Sequence, residues 1–358
     1  MIRIGDAFLH GRAGRRSVTL GTVENSNRRP DHARLLFFAI LSALLLLTSL
    51  TGCSREKAPI PPPLPPAFEV GLLTSGSIND AGWNALGYEG LRRIRDELGA
   101  EITHMETNAA AEQTARFGEL GSRGFDLIFG HGFEFQETAL ALAPRFPETA
   151  FVISSGSRVT ANVSPLVFDL EQPAYLLGML AAMESKTGKA GLIGDAQLPP
   201  IASTFLAFRK GARSVDPDFE VREIYTDGAD ARIAALALAD EGCDFLLHQV
   251  SAGGLGVVEA CRERDLRCFG TSRSQNDLAP EVMVASAVVD VPEAFLAVGR
   301  LAKNGKLSPR VFSFGMKDGI VSLAWNEQHR LALPVDTMKR LDQIEQEMRE
   351  GRFVMPGY

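Results

Sequence analysis

From residue 68 onward the chain alternates two hydropathy periods. Short apolar runs rich in β-branched and aromatic residues occur at 68–73, 101–105, 125–129, 150–154, 166–168, 190–193, 221–225, 245–248, 268–270, 282–286 and 321–325. Most of them end at glycine or a small polar residue. Between them lie stretches at 85–98, 111–121, 175–185, 204–215, 232–241, 257–264 and 292–303, where apolar residues recur every three or four positions. In the first, Leu91, Ile94 and Leu98 continue a stripe begun by Leu86 and Tyr88, the signature of a helix with one buried face. Strand and helix alternating at this rhythm predict βαβ units and parallel sheets covered on both faces. The strands are too many for one sheet. Two Rossmann-like α/β lobes with a hinge and a central ligand cleft are therefore expected. The first lobe takes 68–170 and about 287–315, the second 171–286 and about 316–335, with a helix and tail over 336–358.

Residues 1–67 follow neither period. Arg28, Arg29 and Arg34 precede an uncharged run at 35–47, and Leu50-Thr51-Gly52-Cys53 follows shortly after. A basic segment, an apolar core of about 13 residues and small residues before a cysteine read as a secretory signal over 1–52. The run is shorter than the ~20 residues a membrane-spanning helix needs. The tetrapeptide resembles the lipobox of bacterial lipoproteins, which implies lipidation of Cys53 and an extracytoplasmic domain tethered to a membrane. Pro59, Pro61, Pro62, Pro63, Pro65 and Pro66 then predict an extended spacer over 53–67.

Charge narrows the function classes. Removing residues 1–52 takes away seven arginines and three acids, moving the formal charge from −7 to −11. An acidic domain argues against nucleic acid as a partner. Cys243, Cys261 and Cys268 remain, an odd number in apolar or helical settings, and buried free thiols are expected. The six histidines form no HxxxH or HxH pair, so no metal is called for. No Gly-x-Ser-x-Gly elbow is present. No cofactor and no catalysis are expected. Gly253-Gly254-Leu255-Gly256 has the look of a dinucleotide turn, yet the following strand ends Phe269-Gly270-Thr271-Ser272 without the required acid. It reads as a glycine turn that lets helix pack on sheet. Ser185-Lys186-Thr187-Gly188-Lys189 precedes a strand and reads as a helix C-terminus.

Ligands of open parallel sheets sit beyond the carboxyl ends of the strands, which directs attention to the loops following the runs. The first carries Asn79-Asp80-Ala81-Gly82-Trp83-Asn84. Asp80 has two readings, a helix cap or a ligand carboxylate. Trp83, beside glycine in the first helical turn, suits a planar heterocycle by stacking. Phe133 is either the opposite wall or a core residue.

These residues also carry a resemblance. The first loop, Tyr175-Leu176-Leu177-Gly178-Met179-Leu180-Ala181-Ala182, Ala207-Phe208-Arg209-Lys210-Gly211-Ala212 and Phe269-Gly270-Thr271-Ser272 resemble, over 68–330, the basic membrane protein family of substrate-binding lipoproteins. The resemblance implies the type I periplasmic binding protein fold, capture of a purine base or purine nucleoside, and ABC permease subunits as partners. It implies ligand roles for Asn79, Asp80, Trp83, Asn84 and Phe133 in the first lobe and for His248, Gln249 and Ser251 in the second. Ser155 and Ser272 are placed near the hinges. Family aspartates are replaced at Ser155 and near Thr271 or Ser272, and a family lysine near Val289, which puts recognition of ribose in doubt. The alternative is a sensory or regulatory lipoprotein using the same cleft.

Overall fold

The computed structural model describes residues 67–356 apart from 108, 227–229 and 252. The signal segment, Cys53 and the proline-rich spacer lie outside the described residues. Among the described residues no helix is long and apolar enough to cross a membrane.

The strands are β1 (Glu69–Thr74), β2 (Glu101–Glu106), β3 (Leu127–His131), β4 (Ala150–Ser154), β5 (Val163–Phe168), β6 (Lys189–Gly194), β7 (Glu220–Tyr225), β8 (Phe245–Gln249), β9 (Arg267–Ser272), β10 (Met283–Val289), β11 (Phe312–Phe314) and β12 (Val321–Trp325). They form two six-stranded sheets, ordered β11-β5-β4-β3-β1-β2 and β12-β10-β9-β8-β6-β7. Every pairing is parallel except β10 with β12. This is the two-sheet α/β architecture of type I periplasmic binding proteins. The helices are α1 (Trp83–Leu98), α2 (Ala110–Ser122), α3 (Gln136–Leu142), α4 (Glu171–Glu184), α5 (Pro199–Arg213), α6 (Ala231–Asp240), α7 (Gly254–Arg264), α8 (Val291–Lys303), α9 (Glu327–Ala332) and α10 (Val335–Arg349).

The sheets are built alike. In each, the chain begins at an inner strand (β1, β6), moves outward to β2 or β7, then returns past its start to β3 or β8. The loops after β1 and β3, and after β6 and β8, therefore diverge to opposite faces and leave a crevice at the strand ends, the switch point where ligands bind in open α/β sheets. Three segments cross between the sheets: β5 to β6, β10 to β11, and β11 to β12.

Packing explains the helix positions. In α1, Leu86, Leu91 and Ile94 are buried, and α8 lies against it with Phe295 stacked on Phe129, ring centroids 4.0 Å apart. Helices α4 and α5 meet backbone to backbone: a side chain at Gly178 would overlap the Phe208 carbonyl, and one at Gly211 the Tyr175 carbonyl. Helix α10 buries Leu341 and Met348, and Thr337 donates to Glu184 at the end of α4 at 2.9 Å. The turn at 185–189 ends α4 as expected, with the Asp244 carboxylate accepting from Ser185 Oγ at 2.6 Å and the Lys186 amide at 2.7 Å. Cys243, Cys261 and Cys268 are buried free thiols.

Candidate functional site

A cleft of about 1110 Å³ opens where the loops after β1, β3, β4, β6, β8 and β9 converge. That is somewhat above the ~300–1,000 Å³ of ordinary small-molecule sites. The loops of the two halves come close at its mouth: a Cβ built on Gly82 would lie 3.6 Å from the Ser251 carbonyl oxygen.

Asp80 lines the cleft and also caps α1. Its Oδ1 accepts from the amides of Gly82 (2.8 Å) and Ala85 (3.0 Å), and its Oδ2 from the Asn84 amide (3.0 Å) and Asn84 Nδ2 (2.9 Å). Four donors match the acceptor sites of a carboxylate, so the capping role is met in full. Asn84 also lines the cleft, is only 6% exposed, and its Oδ1 has no partner among the described residues. Because Nδ2 is committed to Asp80, the orientation of that amide is fixed. Asn79 is exposed, does not line the cleft, and its amide turns back to Ser77 Oγ at 3.2 Å.

Trp83 borders the cleft half-buried, its ring stacked on His131 with centroids 4.2 Å apart and an interplanar angle of 14°. Phe168 meets it at 87°. His131 is wholly buried. Its Nε2 lies 2.8 Å from the Trp83 carbonyl oxygen and its Nδ1 2.9 Å from Ser154 Oγ. A carbonyl can only accept, so Nε2 carries the proton and Nδ1 accepts from serine. Desolvation lowers the imidazole pKa to about 4, and a neutral ring supports the indole. Helix α1 approaches this ring only because Gly87 has no side chain: a Cβ there would sit 2.5 Å from His131 Cδ2. Phe133 opens a single 3-10 turn, Phe133–Phe135, and lines the cleft, while Phe135 is the core residue.

In the second half, Gln249 and Ser251 line the cleft. His248 does not. It is fully buried, a Cβ on Gly254 would lie 2.8 Å from its Cε1, and its Nε2 is 2.8 Å from Gln275 Oε1. Gln275 Nε2 donates to the Thr271 carbonyl at 3.1 Å, so Oε1 accepts from His248. Burial lowers this histidine to about 4 as well. It holds Gln275, which does line the cleft. Glycines 253–256 act as the packing turn read from the sequence, with Gly253 and Gly254 pressed against Ala231 and His248.

Ser155 directly follows β4 and Ser272 ends β9, at corresponding places in the two sheets. Both line the cleft in left-handed backbone, at φ 59° and 71°, and Ala81 joins them at 53°. Such conformations are uncommon for non-glycine residues and gather at binding sites.

Several lining residues carry chemistry that the sequence reading passed over. Asp195 directly follows β6, and its Oδ2 accepts from Ser251 N at 2.8 Å and Ser251 Oγ at 2.9 Å. Desolvation raises its pKa, and the charge of Asp80 across the cleft raises it further. Glu171, at the start of α4, is raised mainly by desolvation and accepts from Ser203 Oγ at 2.6 Å. Arg273 pairs across the cleft with Glu89 at 3.0 Å. The Gly194-Asp195 loop was visible as a strand end, but an acid beside a glycine there has no periodic signal.

Residues 67–354 match the family described as ABC transporter substrate-binding protein PnrA-like, Bmp. The transcriptional activator protein med of Bacillus subtilis is 28% identical over 290 residues, which covers 79% of this chain and 88% of that protein. A purine-binding protein of Brucella abortus is 25% identical over 293 residues, 80% of this chain and 82% of the relative. Among solved structures, an ABC transporter solute-binding protein of Aeropyrum pernix superposes with a TM-score of 0.72 at 20% identity, covering 82% of this chain and 94% of that one.

Proposed function

The chain belongs to the Bmp family of PnrA-like ABC transporter substrate-binding proteins, and from that membership we propose that it captures a purine base or purine nucleoside outside the cytoplasm and presents it to a permease. The observation that carries the reading is the indole of Trp83 at the cleft, backed by a neutral imidazole and accompanied by Phe133. Aromatic stacking on a base contributes about 1–3 kcal/mol. The purine-binding relative from Brucella abortus lends independent support. Capture works by closure: contacts from both halves stabilise the closed state by the ligand's differential affinity for it. Attachment to the membrane is assigned to a lipid on Cys53, to be checked by the mass of the N-terminal peptide and by release of Cys53→Ala from membranes.

A thermal-shift panel of bases, nucleosides and unrelated heterocycles tests the ligand class, since stabilisation follows RT ln(1 + [L]/Kd). Purines alone are expected to raise the melting temperature. A panel in which no purine does so defeats the reading. A second role has its own support, because the Bacillus subtilis relative is described as a transcriptional activator. In that role the closed form signals to a membrane partner. Unchanged purine uptake in a deletion strain whose transcription responds to purine would favour it.

A further inference from the structure

We infer that Asp195, in place of Asp80, is the ligand carboxylate, and that the cleft selects a planar heterocycle bearing an exocyclic amino group and turns away its phosphorylated forms. The inference rests on the purine reading and deepens it. In the two sheets β1 and β6 occupy matching places, so the loops carrying Asp80 and Asp195 face one another from opposite halves. Asp80 has spent its acceptor capacity on α1. Asp195 has not: both of its side-chain hydrogen bonds end on Oδ2, and Oδ1 has no partner among the described residues.

A second observation points to a donor-bearing occupant. Asn84, 6% exposed and lining the same cleft, keeps an unpartnered Oδ1 whose orientation its bond to Asp80 fixes. Gln249, whose carbonyl accepts from the Asp195 amide at 3.2 Å, has an unpartnered buried Oε1. A buried acceptor left unmade is costly, and these acceptors call for N–H groups. An amino group carries two.

The charge balance opposes anions. The charged residues lining the cleft are Asp80, Glu134, Glu171, Asp195 and Arg273, four acids against one base, and Arg273 pairs with Glu89 through one guanidinium nitrogen while its buried Nε has no partner among the described residues. Of the helix N-termini at the cleft that could cradle a phosphate, two are unavailable, and the start of α7 at Gly254 carries no side-chain cap. Helix α5 begins Pro199-Pro200, without amide donors, and the Asp80 carboxylate takes the first-turn amides of α1.

Titration calorimetry on the full-length chain decides the matter, with 2,6-diaminopurine, adenine, unsubstituted purine, adenosine and adenosine monophosphate as probes. The wild type is expected to bind diaminopurine about tenfold or more tightly than unsubstituted purine, as suits a hydrogen bond to a charged group, and to bind the monophosphate at least tenfold more weakly than adenosine. Asp195→Asn, which retains an acceptor for Ser251, should erase the amino preference. Equal affinities for amino and unsubstituted purines, or an undiminished preference in Asp195→Asn, would overturn the inference while leaving purine capture standing. Absence of binding by every probe overturns purine capture and this inference together. Should Asp195→Asn fail to fold, the two wild-type ratios decide alone.

Discussion

Two histidines near the ends of corresponding strands, one residue out of register, both act as buried supports. His131 ends β3 and His248 lies in β8, each fully buried and each pressed by a glycine of a neighbouring helix. Neither touches ligand space. One stacks beneath Trp83, the other holds Gln275. Both have pKa values lowered from 6.5 to about 4 by burial. Between those values the unfolded chain binds protons that the folded chain refuses, so stability falls as the pH drops from 6.5 towards 4. Each shift corresponds to roughly 3 kcal/mol, opposed in part by Asp169, Glu171 and Asp195, whose raised pKa values favour the folded state on acidification. Calorimetry is expected to show the melting temperature falling through this window, with a shallower slope in His131→Gln. An unchanged slope would show that the ring titrates normally. At this scale the sequence was partly legible. Trp83, Phe133, Ser155 and Ser272 stand out in the sequence and line the cleft, whereas His248 stands out and lies buried behind it. Adjacent strand residues point to opposite faces, and His248-Gln249 alone does not say which faces the cleft.

Helix α1 shows how a cap and a binding loop share residues. It begins at Trp83, two positions before its apolar stripe becomes readable, because Asp80 reaches past Gly82 to the amides of Asn84 and Ala85. Asp80→Ala should therefore lower unliganded stability by about 1–2 kcal/mol, the worth of a good N-cap, while Asp80→Asn should lose less because it keeps an acceptor. Chemical denaturation of both variants measures this, and equal stability of wild type and alanine variant would reject the cap. Elements with long periodic runs were readable within a few residues of their ends. The ones without a readable pattern are short: β11 has three residues, α9 six and α3 seven. None spans enough repeats to display a period.

At the scale of the molecule, two sheets joined by three crossing segments can move only as bodies hinged along one side. The Arg273–Glu89 pair spans the two halves, with side chains 34% and 47% exposed. An ion pair so solvated contributes at most about 1 kcal/mol, enough to bias closure a few-fold and not enough to hold it without ligand. Arg273→Ala is expected to raise the unliganded radius of gyration in small-angle scattering and to leave the purine-bound value unchanged. A liganded form that also expands would show that the pair does more than tip the balance. The alternation of strands and helices announced the architecture, but strand order is a property of long-range pairing and could be given only by the fold.

The three thiols of the second half have a practical consequence. Cys243, Cys261 and Cys268 are shielded in the native chain, and Cys243 ionises only near pH 11. An alkylating reagent thus stays idle until that half breathes open. Its consumption is a built-in stopwatch for how often the core of that half opens.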